Sequence, residues 1–272
     1  MSEQSYFAGK KVMVTGGSSG IGLAFATEAA RLGAKPILVA RRPEPLEEAK
    51  RRIEAEVRGA EVDTLSLDVA DEDAVESVMG AYLEKGRVDH LVNNAGIAMP
   101  GRFVELDKDE FRKMMDVNYF GAVHMTRAVL PAMTARREGH ILNVSSLAGV
   151  LAIYGYTAYS ASKFALHGFS QALRAELWPH GVQVSVCFPP DTDTPQLAYE
   201  NQFKPAETKA IAGTVKTLSP EVVAQSMIAG MARGRFEIYP DVASHMVALG
   251  QRLLPGITRW VCDTSQKRAQ PA

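Results

Sequence analysis

The chain has 272 residues, enough for one domain over 1–272 with a substantial core, and its 30 Lys plus Arg against 31 Asp plus Glu give no electrostatic case for nucleic acid or an acidic partner. Two cysteines, Cys187 and Cys262, make no disulfide framework and suit a reducing compartment, and the six scattered histidines show no HExxH or CxxC spacing, so no metal site is expected. The polar opening, 1–10, lacks the apolar core of a signal peptide, and no apolar run reaches the roughly 18 to 20 residues of a membrane span, which predicts a soluble body.

A short β-branched run at 12–15 reads as a buried strand, and it feeds directly into Thr15-Gly16-Gly17-Ser18-Ser19-Gly20-Ile21-Gly22, with a helical pattern after Gly20. Strand, glycine turn and helix N-terminus together make an anion site, because glycine lets a pyrophosphate approach the backbone while free N–H groups and the helix dipole favour its charge. Gly16, Ser18, Ser19, Gly20, Ile21 and Gly22 are the candidates, although the spacing is GxxxGxG and not GxGxxG. The second strand, 36–40, ends in Arg41-Arg42. Dinucleotide sites that take NAD place an acid about 20 residues past the glycines to hold a ribose hydroxyl. Two guanidinium groups stand here instead, which suits the 2′-phosphate of NADP, with Arg41 ahead of Arg42.

Leu46, Ala49, Ile53 and Val57 recur at helical spacing as the buried stripe of a surface helix. The third strand, 62–67, leads to Asp68-Val69, which offers a carboxylate and an N–H to an adenine edge; capping of a helix ahead of Glu72 is the competing role for Asp68. The fourth, 89–92, leads into Asn93-Asn94-Ala95-Gly96 at the carboxyl edge of the sheet, where ligands of such folds collect. Its asparagines suit ligand binding, strand locking or both. Helical patterns follow Asp71 and Lys108, the latter reaching Asn118.

The fifth strand, 140–145, ends beside Ser146, with Ser145 as the alternative serine, and a helix after Ala158 carries Tyr159-Ser160-Ala161-Ser162-Lys163. Residues four apart share a helix face. The Lys163 ammonium is therefore expected to lower the Tyr159 pKa from about 10 by roughly one to three. After the sixth strand, 182–188, the segment 189–215 is the longest irregular stretch, and such loops tend to carry function. A helix follows Ser219. In 242–262, Val242, Met246, Leu249 and Leu253 recur at helical spacing, followed by Ile257, Trp260 and Val261; this stripe suits a lipid tail, a bilayer surface, the core or a subunit contact. The alternation of strands and helices predicts an α/β, doubly wound Rossmann-type domain, a central parallel sheet with helices on both faces.

TGGSSGIG, NNAG, Asn118, Ser146 and Tyr159-x-x-x-Lys163, in this order over 11 to about 195, resemble the short-chain dehydrogenase/reductase family. The resemblance implies hydride transfer between NADPH/NADP and a carbonyl or carbinol carbon. It assigns Tyr159 as general acid, Ser146 to orient the substrate oxygen, Lys163 to tune Tyr159 and hold the nicotinamide ribose, and Asn118 to support a water relay. Asn94, Ala95 and Gly96 would line the cofactor, and Thr194 would touch its carboxamide, although Pro189-Pro190 replaces the Pro-Gly that most of the family carries. Cys187 reads as a strand core residue.

Within that family, the segment Pro189-Pro190-Asp191-Thr192-Asp193-Thr194-Pro195, Glu200-Asn201, Lys204-Pro205-x-Glu207-Thr208 and the run 156–165 are similar to the 3-ketodihydrosphingosine reductases. This narrower resemblance implies NADPH-dependent reduction of a long-chain keto-amine lipid. Eukaryotic members carry hydrophobic C-terminal anchors; the polar tail here implies a cytoplasmic protein with at most peripheral membrane contact. Family analogy implies a homo-oligomer, a dimer or tetramer. Two other readings stand beside it: reduction of another hydrophobic ketone, such as a steroid or a 3-oxoacyl thioester, and a non-catalytic NADP-binding regulator. The intact Ser146, Tyr159 and Lys163 set argues against the last.

Overall fold

The computed structural model of the protein describes residues 2–269. Within them one parallel sheet of seven strands is built from β1 (Lys11–Thr15), β2 (Lys35–Ala40), β3 (Asp63–Ser66), β4 (His90–Asn93), β5 (Gly139–Val144), β6 (Val182–Cys187) and β7 (Glu237–Ile238), in the order β3-β2-β1-β4-β5-β6-β7. The central strands β1, β4 and β5 are buried along nearly their whole length, which is why they read as continuous apolar runs. β7 is only two residues long and escapes sequence reading; pairing of Val186 with Glu237 and of Cys187 with Ile238 defines it.

The helices follow as α1 (Glu3–Phe7), α2 (Gly20–Arg31), α3 (Pro43–Glu56), α4 (Glu72–Leu83), α5 (Lys108–Met115), α6 (Gly121–Arg136), α7 (Thr157–Leu177), α8 (Pro195–Glu200), α9 (Ala206–Ala212), α10 (Pro220–Ala232), α11 (Val242–Leu253) and α12 (Pro255–Ala269). Their starts are written locally. Asp71, Asp107, Ser219 and Asp241 each accept a bond from a backbone N–H of the first turn, a device worth about 1 kcal/mol per helix. On one face of the sheet α2, α3 and α10 bury Phe25, Ile53 and Met227 with Phe7; on the other, α4, α6 and α7 bury Met79, Met125 and Leu173.

Two expectations need correction, and a third gains detail. The segment 189–215 is not irregular throughout, since α8 and α9 lie in it, and a bridge from Thr192 to Leu218 pins its start. The helix after Lys108 is interrupted between α5 and α6 by a π turn, Asp116–Phe120, in which the Gly121 N–H reaches back to the Asp116 carbonyl. The stripe in 242–262 forms two helices, because Pro255 cannot continue the ladder of α11 and opens α12 instead.

The sheet order reverses direction at β1, whose neighbours are β2 on one side and β4 on the other. Crossovers leave this point in opposite directions, so a crevice opens beyond the carboxyl ends of β1 and β4. The glycine turn and the Asn94 to Gly96 segment lie at those ends.

Candidate active site

The backbone of the glycine turn is bare for two reasons. Gly16 and Gly20 take left-handed φ angles of +65° and +54°, which cost little only without a side chain. A Cβ on Gly22 would lie 2.4 Å from the Gly16 carbonyl oxygen, and one on Gly16 would lie 2.9 Å from Asn94 Nδ2. Ser19, at the N-cap of α2, makes no side-chain bond to the helix, so the first N–H groups of a twelve-residue helix remain available to an anion.

Asn93, the last residue of β4, and Asn94, just after it, both lock strands. Asn94 Nδ2 donates to the Thr15 carbonyl at 2.9 Å, and Asn93 Nδ2 donates to Asn143 Oδ1 at 2.9 Å. Asn94, Ala95 and Gly96 also line a cavity of about 600 Å³ together with Gly16, Ser18, Ser19, Gly20 and Ile21. Gly22 packs beneath that lining.

A smaller adjoining recess, about 210 Å³, is lined by Arg41, Arg42, Asp68 and Val69 beside the same turn. Arg41 is 67% exposed, and its nearest carboxylate is Asp68 at 3.8 Å, too loose to hold the guanidinium. Asp68 does not cap α4: it accepts from the Ala70 N–H at 3.0 Å, and Asp71 fills the cap by accepting from the Ala74 N–H at 3.0 Å. That alternative for Asp68 is therefore corrected, and its carboxylate faces the recess.

The other end of the large cavity is lined by Ser146, Tyr159, Lys163 and Thr194. Tyr159 and Lys163 stand one turn apart on α7. Ser146 is half-buried at the end of β5, its Oγ accepting from the Ala148 N–H at 3.1 Å, whereas Ser145 is buried and donates to the Lys163 carbonyl at 3.0 Å. Of the two serines, Ser145 is thus tied to the backbone of α7. Thr194 caps α8, accepting from the Leu197 N–H at 3.2 Å, and its methyl would touch a Cβ on Gly20 at 3.0 Å, so it stands over the glycine turn. Asn118 is buried one layer behind the cavity. Its carboxamide accepts from the Ile97 N–H at 2.8 Å and donates to the Ile97 carbonyl and to Ser162 Oγ, each at 2.9 Å. It ties the π turn to the segment after β4 and to α7.

The expected depression of the Tyr159 pKa is overturned. Burial pushes the phenol above its ordinary value, the Glu200 carboxylate pushes the same way, and only the Ser146 hydroxyl pulls it down. Lys163 spends its ammonium elsewhere: Nζ donates to the Val144 carbonyl at 2.9 Å and stands 5.7 Å from the Tyr159 ring centroid. Burial lowers the pKa of Lys163 itself to about 8, with Glu200 opposing.

Glu200 is the site residue that sequence reasoning leaves unassigned. It belongs to a loop pattern in the chain, and only α8 brings it back to Tyr156, forty-four positions earlier, whose hydroxyl donates to Glu200 Oε2 at 2.8 Å. Asp191 lines the neighbouring wall and is paired at 2.6 Å with the buried Lys204. Beyond them Met246, Val247, Ile257 and Val261 of α11 and α12 extend the cavity as an apolar corridor. Cys187 is fully buried in the core, as its place on the sixth strand suggests.

A model of the short chain dehydrogenase family matches residues 10–205. The chain is 48% identical over 232 residues to the 3-dehydrosphinganine reductase of Danio rerio, covering 84% of this chain and 70% of that one. It is 46% identical over 232 residues to the 3-ketodihydrosphingosine reductase of Bos taurus, with the same coverage. In structure it is similar to a short-chain dehydrogenase from Sphingobium yanoikuyae in complex with NADPH, with a TM-score of 0.77, 26% identity, and 92% of this chain and 95% of that one covered.

Proposed function

This chain belongs to the short-chain dehydrogenase family, and on that premise we propose that it reduces the 3-keto group of 3-ketodihydrosphingosine to the alcohol of dihydrosphingosine, with NADPH as cofactor. The observation that carries this reading is a single cavity in which the phenol of half-buried Tyr159 opens onto an apolar corridor walled by α11 and α12. A sphingoid base needs both: a proton for its carbonyl oxygen, and a dry wall for a tail whose burial is worth about 0.8 kcal/mol per methylene.

The residues present fit a phosphorylated dinucleotide. The Gly16 to Gly22 turn offers bare backbone and free N–H groups to a pyrophosphate. Arg41 and Arg42 offer two guanidinium groups without a close carboxylate partner to the extra phosphate. Asp68 and Val69 would hold the adenine, Asn94, Ala95 and Gly96 the middle of the molecule, Tyr159 and Lys163 the nicotinamide ribose, and Thr194 the carboxamide. When bound, NADPH supplies the hydride that reduces the carbonyl carbon.

Every other part of the step falls to the chain. Tyr159, kept protonated by burial at neutral pH, gives its phenolic proton to the carbonyl oxygen as negative charge builds there. Ser146 donates to the same oxygen and fixes its direction. Lys163, still mostly protonated at pH 7 with a pKa near 8, stabilises the phenolate that remains. Asn118 holds α7 and the segment after β4 in register beneath these groups.

The test is NADPH consumption by the purified chain with 3-ketodihydrosphingosine beside a steroid ketone and a 3-oxoacyl thioester. The sphingoid ketone should be reduced with the highest kcat/KM; faster turnover of either competitor overturns the assignment of substrate.

Contact with lipid follows from the same tail. Among the described residues no helix is long and apolar enough to cross a membrane, whereas Val242, Leu253 and Trp260 are exposed on α11 and α12 and Leu254 is exposed between them. These side chains would rest on a bilayer surface while Met246 and Val261 face the corridor. Replacing Leu253 and Trp260 together with Glu should abolish flotation with liposomes and leave reduction of detergent-dispersed substrate intact; unchanged flotation, or no flotation by the native chain, refutes the contact.

A further inference from the structure

Glu200 is a carboxylate in a place that disfavours carboxylates. It is 6% exposed, at the end of α8 and on the wall of the large cavity. Its contacts are neutral donors: Tyr156 Oη gives a hydrogen bond to Oε2 at 2.8 Å, and Gln196 Nε2 gives one to Oε1 at 2.9 Å. The cations nearby are engaged elsewhere, Lys204 with Asp191 at 2.6 Å and Lys163 with the Val144 carbonyl at 2.9 Å. Among the described residues no Lys, Arg or His makes an ion pair with it. Taking a carboxylate out of water without a cation is costly, and burial raises the Glu200 pKa accordingly.

The arrangement leaves spare capacity. Each carboxylate oxygen can accept more than one hydrogen bond, and each Glu200 oxygen receives one from the protein. The donors also fix its position: the Tyr156 ring lies 5.3 Å, centroid to centroid, from that of Tyr159, so the carboxylate is held one aromatic ring away from the proposed proton donor. Its charge is felt at both Tyr159 and Lys163. In an α-amino ketone the ammonium sits on the carbon next to the carbonyl, so a substrate whose oxygen meets Tyr159 carries its cation into this neighbourhood.

We propose that Glu200 selects amino ketones over neutral ketones, its carboxylate accepting hydrogen bonds from the substrate ammonium while Tyr156 and Gln196 hold it in place. The ammonium supplies the missing cation, with three donors for the free lone pairs. This rests on the reading of the substrate as a sphingoid ketone and adds what distinguishes that substrate from a plain long-chain ketone. Glu200 is a specificity residue here, and it takes no part in the transfer of proton or hydride.

The experiment compares 3-ketodihydrosphingosine with 1-hydroxyoctadecan-3-one, the same ketone without the amine, on the native chain and on Glu200→Gln. The native chain should prefer the amine by about 10-fold or more, the scale of a charge-assisted hydrogen bond. Glu200→Gln keeps shape and polarity but removes charge, and should lose about 10- to 100-fold in kcat/KM for the amine, mostly through KM, and at least about tenfold in the amine-to-neutral ratio, since any change passed to Tyr159 and Lys163 acts on both ketones alike. NADPH binding, followed by fluorescence, should be unaltered. Equal losses on both ketones, or an unaltered ratio, overturn the proposal. So does a native chain with no preference for the amine, a measurement that needs no variant to fold. A native chain that reduces neither ketone overturns the substrate reading itself.

Discussion

Lys163 lies one turn after Tyr159 on the same face of α7, and its ammonium donates to the Val144 carbonyl at 2.9 Å while standing 5.7 Å from the phenol ring centroid. The two groups are shifted in opposite senses by the same cause, burial, which raises the phenol and lowers the ammonium to about 8. In the free protein the proton to be donated is therefore secure, and the charge that must receive the resulting phenolate is the one near its titration point. As pH rises through 8, Lys163 loses its proton and kcat/KM for reduction should fall, with an alkaline limb near 8, since that parameter reports groups of the free enzyme. Lys163→Arg, which stays charged throughout, should be slower but lack this limb. Tyr159→Phe should lose about 100- to 10,000-fold in kcat with NADPH affinity within about threefold. A limb near pH 8 that persists in Lys163→Arg assigns it to another group.

Why Tyr159 defies its sequence expectation is physical. Spacing on a helix gives the distance between two side chains and nothing about the dielectric around them, and here desolvation and the Glu200 carboxylate raise the phenol against the Ser146 hydroxyl alone. What is legible in the chain is whatever a strand–turn–helix must carry locally: six strands, the bare Gly16 to Gly22 turn, and the order of Ser146, Tyr159 and Lys163. β7 is invisible because two residues carry no period, and α8 because its role depends on Glu200 meeting Tyr156, a contact no local pattern announces.

Arg41 should decide between the two nicotinamide dinucleotides. It is 67% exposed and its contact with Asp68, at 3.8 Å, contributes little, so Arg41→Asp should fold normally. A phosphate facing Asp loses a charge-assisted hydrogen bond and gains repulsion, so KM for NADPH should rise about 10- to 100-fold with KM for NADH changed less than about threefold. Equal changes for both would move the 2′-phosphate site away from Arg41.

Two glycines of equal composition should give opposite results. A Cβ on Gly22 would sit 2.4 Å from the Gly16 carbonyl oxygen and 2.6 Å from Asn94 Nδ2, while one on Gly168 meets nothing within 4 Å. Gly22→Ala must displace the turn from the end of β4, so NADPH binding should fall at least tenfold and the melting temperature with it. Gly168→Ala, on the exposed side of α7, removes backbone freedom from the unfolded chain and should stabilise by about 0.5 to 1 kcal/mol. Denaturant midpoints of the two variants, measured side by side, check both signs. Stabilisation of Gly22→Ala would show that the turn yields, contrary to its packing.

Acid stability should be governed by two histidines at the end of the sheet remote from the site. His140 is buried between Tyr6 and Ser185, with Nε2 at 2.8 Å from Ser185 Oγ, and His90 is buried with neither ring nitrogen bonded, its ring stacked on Tyr6 at 4.9 Å. Burial lowers the first to about 3, assisted by His90, and the second to about 4, where Asp89 and the Tyr6 backbone oppose and Lys10 assists. Both folded values lie below the ordinary 6.5, so between about 6.5 and 4 the unfolded chain binds protons that the folded chain refuses. Stability from these groups is thus complete above pH 6.5 and declines as pH falls, by on the order of 1 kcal/mol per pH unit for each histidine. Glu237, held down near 2 by His167 and Arg252, loses its contribution only below its ordinary 4.5, and Glu200, raised by burial, acts in the opposite sense above that value, so the loss of stability between 6.5 and 4.5 is assigned to the histidines. His90→Leu removes one titrating group and two unbonded nitrogens. Urea midpoints from pH 7.5 to 4.5 should fall less steeply in that variant than in the native chain, and its midpoint at pH 7.5 should be equal or higher; an identical slope would mean that His90 does not drive the loss.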